Sequence, residues 1–331
     1  MDPVAFRIGP LAIHWYGLLI VTGAVLAAVV ATFEAKRRDE DPEHVWNVLT
    51  YCLILGIIGA RLYHVFSSPE GGFVGWDYYK AHPIDIIAFW RGGFRGLGIY
   101  GAVAGGIVAV VLYCHFAKLN LLRWLDIPTP GLLLAQVIGR LGNFINQELY
   151  GQPTTLPWGV PIDCLHRYGA FTCDKLSEAA RFHPTYFYEA LWNLVGFGLM
   201  LWLGRKFSRK LRDGDIFFAY LIWYPLGRFW VEFFRPDAWM VGGTRLATAQ
   251  LIALVCIVFA AVMIFLRHRG WSPEAEAEEQ GSKGEGEQGS KGAEEQRSQG
   301  AGDLLVEAGE VETPEGARMG GEGNEGGGAQ R

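Results

Sequence analysis

The 331-residue sequence lacks the short motifs that announce most catalytic chemistry. It has no Gly-x-x-x-x-Gly-Lys loop for nucleotide phosphates, no His-Glu-x-x-His for zinc, no Gly-x-Ser-x-Gly elbow and no Cys-x-x-Cys pair. Its eight histidines are scattered, so neither a metal nor a nucleotide is expected. Charge is missing as well. Residues 11–33, 96–117 and 246–266 contain no Asp, Glu, Lys or Arg, and each is long enough to cross a bilayer core, which takes about 20 residues. Aromatic residues are absent from residues 273–331, where 15 acidic residues face 5 basic ones. That tail carries −10, so the net charge of −5 leaves the first 272 residues at +5, with all 45 aromatics. So apolar a front part excludes an ordinary soluble enzyme. A basic nucleic-acid binder is excluded too, because the positive residues fall in short clusters between apolar runs.

Four further segments of similar length carry only isolated charges. They are residues 45–66 with Arg61, 127–146 with Arg140, 184–204 with Glu189, and 216–234 with Arg228 and Glu232. The sequence thus predicts an all-α polytopic membrane protein, with seven transmembrane helices in residues 1–272. The loops after the first, third, fifth and seventh helices hold Lys36 to Arg38, then Lys118 and Arg123, then five basic residues from Arg205 to Arg212, then Arg267 and Arg269. Basic loops stay cytoplasmic, which places the N-terminus outside and the C-terminus inside. The first helix is expected to remain as an anchor, because its apolar run exceeds a signal-peptide core and its basic cluster follows it. The acidic tail repeats Glu-Gln-Gly-Ser-Lys-Gly at 279–284 and 287–292 and is expected to be disordered. Cys52, Cys114 and Cys256 fall in spans, as small apolar residues. Cys164 and Cys173 share the long outer loop and could close a small disulfide or stay as free thiols.

An ionised side chain near the bilayer centre costs at least about 2.5 kcal/mol, so such residues mark functional sites by default. Arg61, Arg140 and Arg228 each follow a glycine or Gly-Ala in the outer part of an outward-running helix, and Glu189 lies at the outer start of the fifth. The charges therefore share one depth. A lone arginine there can snorkel to the interface, and for Arg61 that alternative stays open. Arg140 belongs to a denser stretch, residues 139–151, with Asn143, Asn146, Glu148 and three glycines. Its polar residues recur every third position and drift slowly around one helix face. Helix packing alone would not require the arginine. Tyr224, Arg228, Glu232 and Arg235 form a second stripe, for which a self-neutralising Arg228–Glu232 pair is the competing account. Arginines and amides gathered at headgroup depth fit an anion, and the one most available there is phospholipid phosphate. A transporter would also carry intramembrane charges, but its path would need counterparts in the inner half, which the sequence lacks.

Residues 139–151, Gly-Arg-Leu-Gly-Asn-Phe-Ile-Asn-Gln-Glu-Leu-Tyr-Gly, resemble the signature of the bacterial prolipoprotein diacylglyceryl transferases. The resemblance extends to about residue 270. It takes in Gly9-Pro10, Ile13-His14-Trp15-Tyr16-Gly17, Gly59-Ala60-Arg61, His183-Pro184 with Tyr188-Glu189, and Gly227-Arg228 with Val231 to Arg235. It implies an enzyme of the bacterial inner membrane whose site faces the outer half. Such an enzyme moves the diacylglyceryl group of phosphatidylglycerol to the lipobox cysteine of a prelipoprotein and releases glycerol phosphate, with no cofactor. The resemblance further implies that Arg140 and Arg228 hold the departing phosphate, that Asn143 and Asn146 orient the headgroup, and that Tyr16 and Tyr224 flank it. Glu148, Gly151, Glu232 and Arg235 take functional positions, and Arg61 is a candidate lipid contact. One departure is Tyr100, which stands where many members have a histidine. A phenol titrates near about 10 and a thiol near about 8.5, so Tyr100 is expected to donate a hydrogen bond. Glu148 and Glu232 are the other candidates for taking the thiol proton.

Overall fold

The computed structural model describes residues 4–8, 11–67, 75–87, 98–236 and 247–269. The acidic tail and the Gly9-Pro10 pair lie outside the described residues. Nine helices are present among them: α1 Trp15–Arg37, α2 Glu43–Phe66, α3 Trp76–Ala81, α4 Ile99–Phe116, α5 Leu121–Asp126, α6 Thr129–Ile145, α7 Thr185–Lys206, α8 Asp215–Val231 and α9 Thr248–His268. Helices α3 and α5 are short connectors, and the other seven coincide with the predicted segments. By length and apolarity α1, α2, α4 and α9 can cross a membrane. Helices α6 and α8, which carry Arg140 and Arg228, have 17 residues each, a rise of about 25 Å.

The structure corrects the all-α expectation in two places. Strand β1, Val4–Ile8, pairs antiparallel with β2, Leu11–His14, so the first helix begins at Trp15 and not at residue 11. So short a stretch as Leu-Ala-Ile-His cannot separate strand from helix by its pattern. The segment 147–183, read as a loop, contains a three-stranded sheet in the order β3-β5-β4, formed by Pro153–Thr154, Arg181–Phe182 and Val160–Pro161. Tyr150, Ile162, Phe182 and Tyr186 pack beneath it as a small core. Buried Arg167 ties the segment together. Its guanidinium donates to the carbonyls of Ile162 at 2.7 Å, Ser177 at 2.9 Å and Glu178 at 2.7 Å. Cys164 and Cys173 form a disulfide there, with Cα atoms 5.6 Å apart. Glu178 lies beside the two sulfurs, but sulfurs in a disulfide offer no thiolate to a metal.

Helix α1 packs on α6, α2 on α4, α6 on α7, and α8 on α9. Between α2 and α4 the backbones of Gly59 and Gly101 approach so closely that a Cβ on either would strike the other's carbonyl, the small-residue packing that membrane helices favour. The basic helix ends, expected only to fix topology, have carboxylate partners. Buried Glu34 pairs with Arg37 at 2.7 Å and Arg205 at 3.1 Å. Arg123 bridges Glu40 at 3.0 Å and Asp213 at 3.1 Å, and His268 meets Asp215 at 2.7 Å. Asp126 accepts from the backbone N–H groups of Gly214 and Phe217, each at 2.8 Å, and so caps the start of α8.

Burial pushes the Asp126 carboxyl up to about 6, against the lowering influence of Arg38 and the two backbone donors. The folded value exceeds the unfolded one, so between about pH 4 and 6 the folded state binds more protons. The stability this contributes at low pH is lost as the pH rises through that window. Relative to wild type, Asp126→Asn should therefore gain on the order of 3 kcal/mol on going from pH 4 to 7, read from denaturant unfolding in detergent. A difference that does not change with pH would contradict the assignment.

Candidate active site

Helix α6 ends at Ile145, with Asn146 as its cap. The chain then turns through Gln147 at φ 52° and Leu149 at φ 57°, a left-handed conformation that residues other than glycine adopt rarely, at about 1 to 3 kcal/mol each. Glu148 sits between them. The surroundings hold this strained bracket in place. The Gln147 amide donates to Asp163 Oδ2 at 2.6 Å and accepts from the Asp163 N–H at 2.7 Å. The Glu148 N–H bonds the Asn143 carbonyl at 3.0 Å, and the Thr185 hydroxyl donates to the Leu149 carbonyl. The result aims Glu148 back at α6, where its Oε1 accepts from Asn143 Nδ2 at 2.8 Å and from Asn146 Nδ2 at 3.3 Å.

Two glycines make room for this arrangement. A Cβ on Gly142 would lie 2.6 Å from the Tyr16 ring, so glycine lets Tyr16 lie against α6, within electrostatic reach of Glu148 and Arg140. A Cβ on Gly151 would lie 2.8 Å from His183 Cβ and 2.9 Å from the Phe234 carbonyl. A larger residue there would push apart the α7 and α8 ends that carry the charges.

Those charges form one network. Arg140 forms an ion pair with Glu189 and donates to Asn143 Oδ1 at 3.2 Å. Arg228 reaches Glu189 Oε1 at 2.6 Å and Glu232 Oε2 at 3.0 Å. The Glu189 side chain is 5% exposed, and through it α6, α7 and α8 are joined. The stripe predicted on the sixth span is interrupted: α8 stops at Val231, Glu232–Phe234 forms a tighter turn, and Arg235 follows it. Tyr224 stacks on Tyr220, with centroids 5.7 Å apart. Arg61 is tied to the 75–87 segment, donating to the carbonyls of Ile86 at 2.8 Å and Asp85 at 2.5 Å and lying over the Tyr79 ring. Tyr100 is 68% exposed on the first turn of α4, its ring against Tyr63.

The central residue, Glu189, received no role from the sequence. Its signals were a depth shared with Arg140 and Arg228 and a place in the Tyr188-Glu189 pair of the family resemblance. At the rim, His183 Nδ1 lies 3.1 Å from the Tyr188 hydroxyl, which also accepts from Trp158 Nε1 at 2.9 Å. Burial pushes the His183 imidazole below its ordinary value, which favours the neutral ring.

A guanidinium has five N–H donors. Arg140 and Arg228 each use two in the network, so each keeps donors that have no partner among the described residues. Of the three carboxylates, Glu148 alone has no arginine partner among the described residues. The arrangement can hold an anion between two cations and offers beside it a carboxylate held only by neutral amides.

A family model described as prolipoprotein diacylglyceryl transferase matches residues 3–266. The sequence is 42% identical over 276 residues to the phosphatidylglycerol–prolipoprotein diacylglyceryl transferase of Chloroflexus aggregans, covering 78% of this chain and 87% of that one. Proteins of the same name from Streptococcus uberis and Listeria monocytogenes are 37% and 34% identical, covering 81% and 86% of this chain and 96% of each relative.

Proposed function

The chain belongs to the prolipoprotein diacylglyceryl transferases, and on that premise we propose that its arginine-glutamate network carries the diacylglyceryl group of phosphatidylglycerol to the lipobox cysteine of a prelipoprotein. The observation that carries this reading is the pair of guanidiniums fixed by one buried carboxylate, each with donors left for a phosphate. The seven long helices would all span, with the basic ends in the cytoplasm and the site towards the outer leaflet of the bacterial inner membrane. The N-terminal hairpin would then lie outside, and the acidic tail in the cytoplasm.

In the reaction a sulfur–carbon bond forms at the glycerol carbon that bore the phosphate, and the carbon–oxygen bond to phosphate breaks. The electron pair stays on oxygen, so a phosphodiester monoanion leaves as a phosphomonoester that gains up to one negative charge near neutral pH. Arg140 and Arg228 would bind that growing charge more tightly than the ground state, which lowers the barrier. Asn143 and Asn146 hold Glu148 in place and offer their amides at the headgroup, with Tyr16 and Tyr224 flanking it. Glu232 keeps Arg228 in position, and Arg235 follows at the site's rim. Tyr100 and Arg61 would contact the lipid further out.

Glu148 is the best placed acceptor for the thiol proton, because Glu189 and Glu232 are committed to arginines. Purified protein with phosphatidylglycerol and a lipobox peptide should add one diacylglyceryl mass to the peptide, and no gain from a folded preparation would end the transferase reading. In the same assay Glu148→Gln should be about 10² to 10⁴ times slower. A variant as fast as wild type would move the base elsewhere.

A further inference from the structure

One helical turn below the charged layer lies a second, uncharged polar layer. Gln136 is four residues from Arg140 on α6, Asn193 four from Glu189 on α7, and Tyr224 four from Arg228 on α8. Helices α6 and α8 run towards the charged layer and α7 runs away from it, so all three steps lead deeper into the bundle. Asn193 is 2% exposed, and its Nδ2 has no hydrogen-bond partner among the described residues. Gln136 donates to the Tyr220 hydroxyl at 2.9 Å, while its Oε1 has no partner among them. A buried donor left without an acceptor is destabilising, which a purely structural asparagine would not explain.

A four-residue step along a helix is about 6 Å. The polar interfacial zone beyond the hydrocarbon core is about 5 to 7 Å thick in each leaflet, and the ester carbonyls of a glycerophospholipid lie at its inner edge, one glycerol unit below the phosphate. With the phosphate between Arg140 and Arg228, an ester carbonyl falls at the level of Asn193. We propose that Asn193 Nδ2 donates to an ester carbonyl of the lipid substrate and so fixes the depth at which the glycerol carbon meets the thiol. Asn193 is then a substrate-positioning residue, and this role rests on the transferase reading above.

The test compares diester phosphatidylglycerol with its dialkyl ether counterpart of equal chain length, which has no carbonyls, in transfer to a lipobox peptide by the full-length protein. Wild type should favour the diester by about 5- to 10-fold, the worth of one neutral hydrogen bond. The preference should appear in kcat/KM, with part of it in kcat, because a lipid held at the wrong depth presents its glycerol carbon poorly to the thiol. Asn193→Leu and Asn193→Ala should both bring the ratio to within about twofold of unity. A variant that merely folds less well lowers both rates together and leaves the ratio readable. A preference that survives in either variant, or its absence from wild type, overturns the proposal. Failure of wild type to use either lipid would instead remove the transferase reading itself.

Discussion

Arg228→Gln should lower kcat for diacylglyceryl transfer by about 10³ to 10⁴-fold, the range for a lone arginine or oxyanion donor facing a developing phosphate charge. The side chain meets Glu189 at 2.6 Å and Glu232 at 3.0 Å, and these two carboxylates fix the plane of the guanidinium before any lipid arrives. In the proposed reaction its remaining donors would face an anion whose charge grows as the carbon–oxygen bond breaks. An interaction that strengthens along the reaction coordinate appears in kcat, whereas one equal in both states would appear in KM alone. Arg228→Lys should recover only a small part of the rate. An ammonium restores the charge but cannot bridge two carboxylates and still present a flat, bidentate face to phosphate. Single-turnover transfer with enzyme in excess isolates the chemical step. A loss below tenfold in the Gln variant would show that the phosphate is held elsewhere.

Much of the site was legible because its parts are local. Arg140, Asn143 and Asn146 recur every third residue, and Arg228 and Glu232 sit four residues apart, so spacing brings each of these groups together. Glu148 is returned to α6 by the left-handed turn at Gln147 and Leu149, which no periodicity announces. The long helices were legible for a similar reason: apolar length is additive along the chain, and it marked α1, α2, α4 and α9 without reference to any partner. Glu189 was different. It meets an arginine 39 residues further along the chain and another on α6, and no periodicity encodes such a meeting. The same limit applies to Arg167, whose three carbonyl partners order a segment that reads as loop. It applies as well to the basic helix ends, where Glu34 and Asp126 answer arginines on other elements. The early start expected for the first helix has another cause. Hydrophobicity averages over the strand Leu11–His14 and the helix after it, although their backbones differ.

Glu189→Leu should cost stability as well as activity, by about 3 to 5 kcal/mol, the penalty for leaving buried charge uncompensated. Two guanidiniums now share that carboxylate, with side chains 15% and 19% exposed. Without it they face each other at low dielectric, where like charges repel far more strongly than in water. Transfer should fall by at least about 10³-fold, because neither arginine would keep its aim. Loss of activity alone could follow from misfolding, so the double variant Arg140→Leu with Glu189→Leu decides the point. It removes one charge of each sign and leaves the Arg228–Glu232 pair intact, and among the described residues Asn143 is the hydrogen-bonded neighbour of Arg140 that loses a partner. Most of the lost stability should return, since replacing a buried ion pair by apolar groups is often neutral. Activity should not return, since one of the two cations at the phosphate is gone. Thermal unfolding in detergent measures the first quantity and the peptide mass assay the second. A double variant less stable than Glu189→Leu would mean that the two residues act independently, and the shared-carboxylate account of the site would fail.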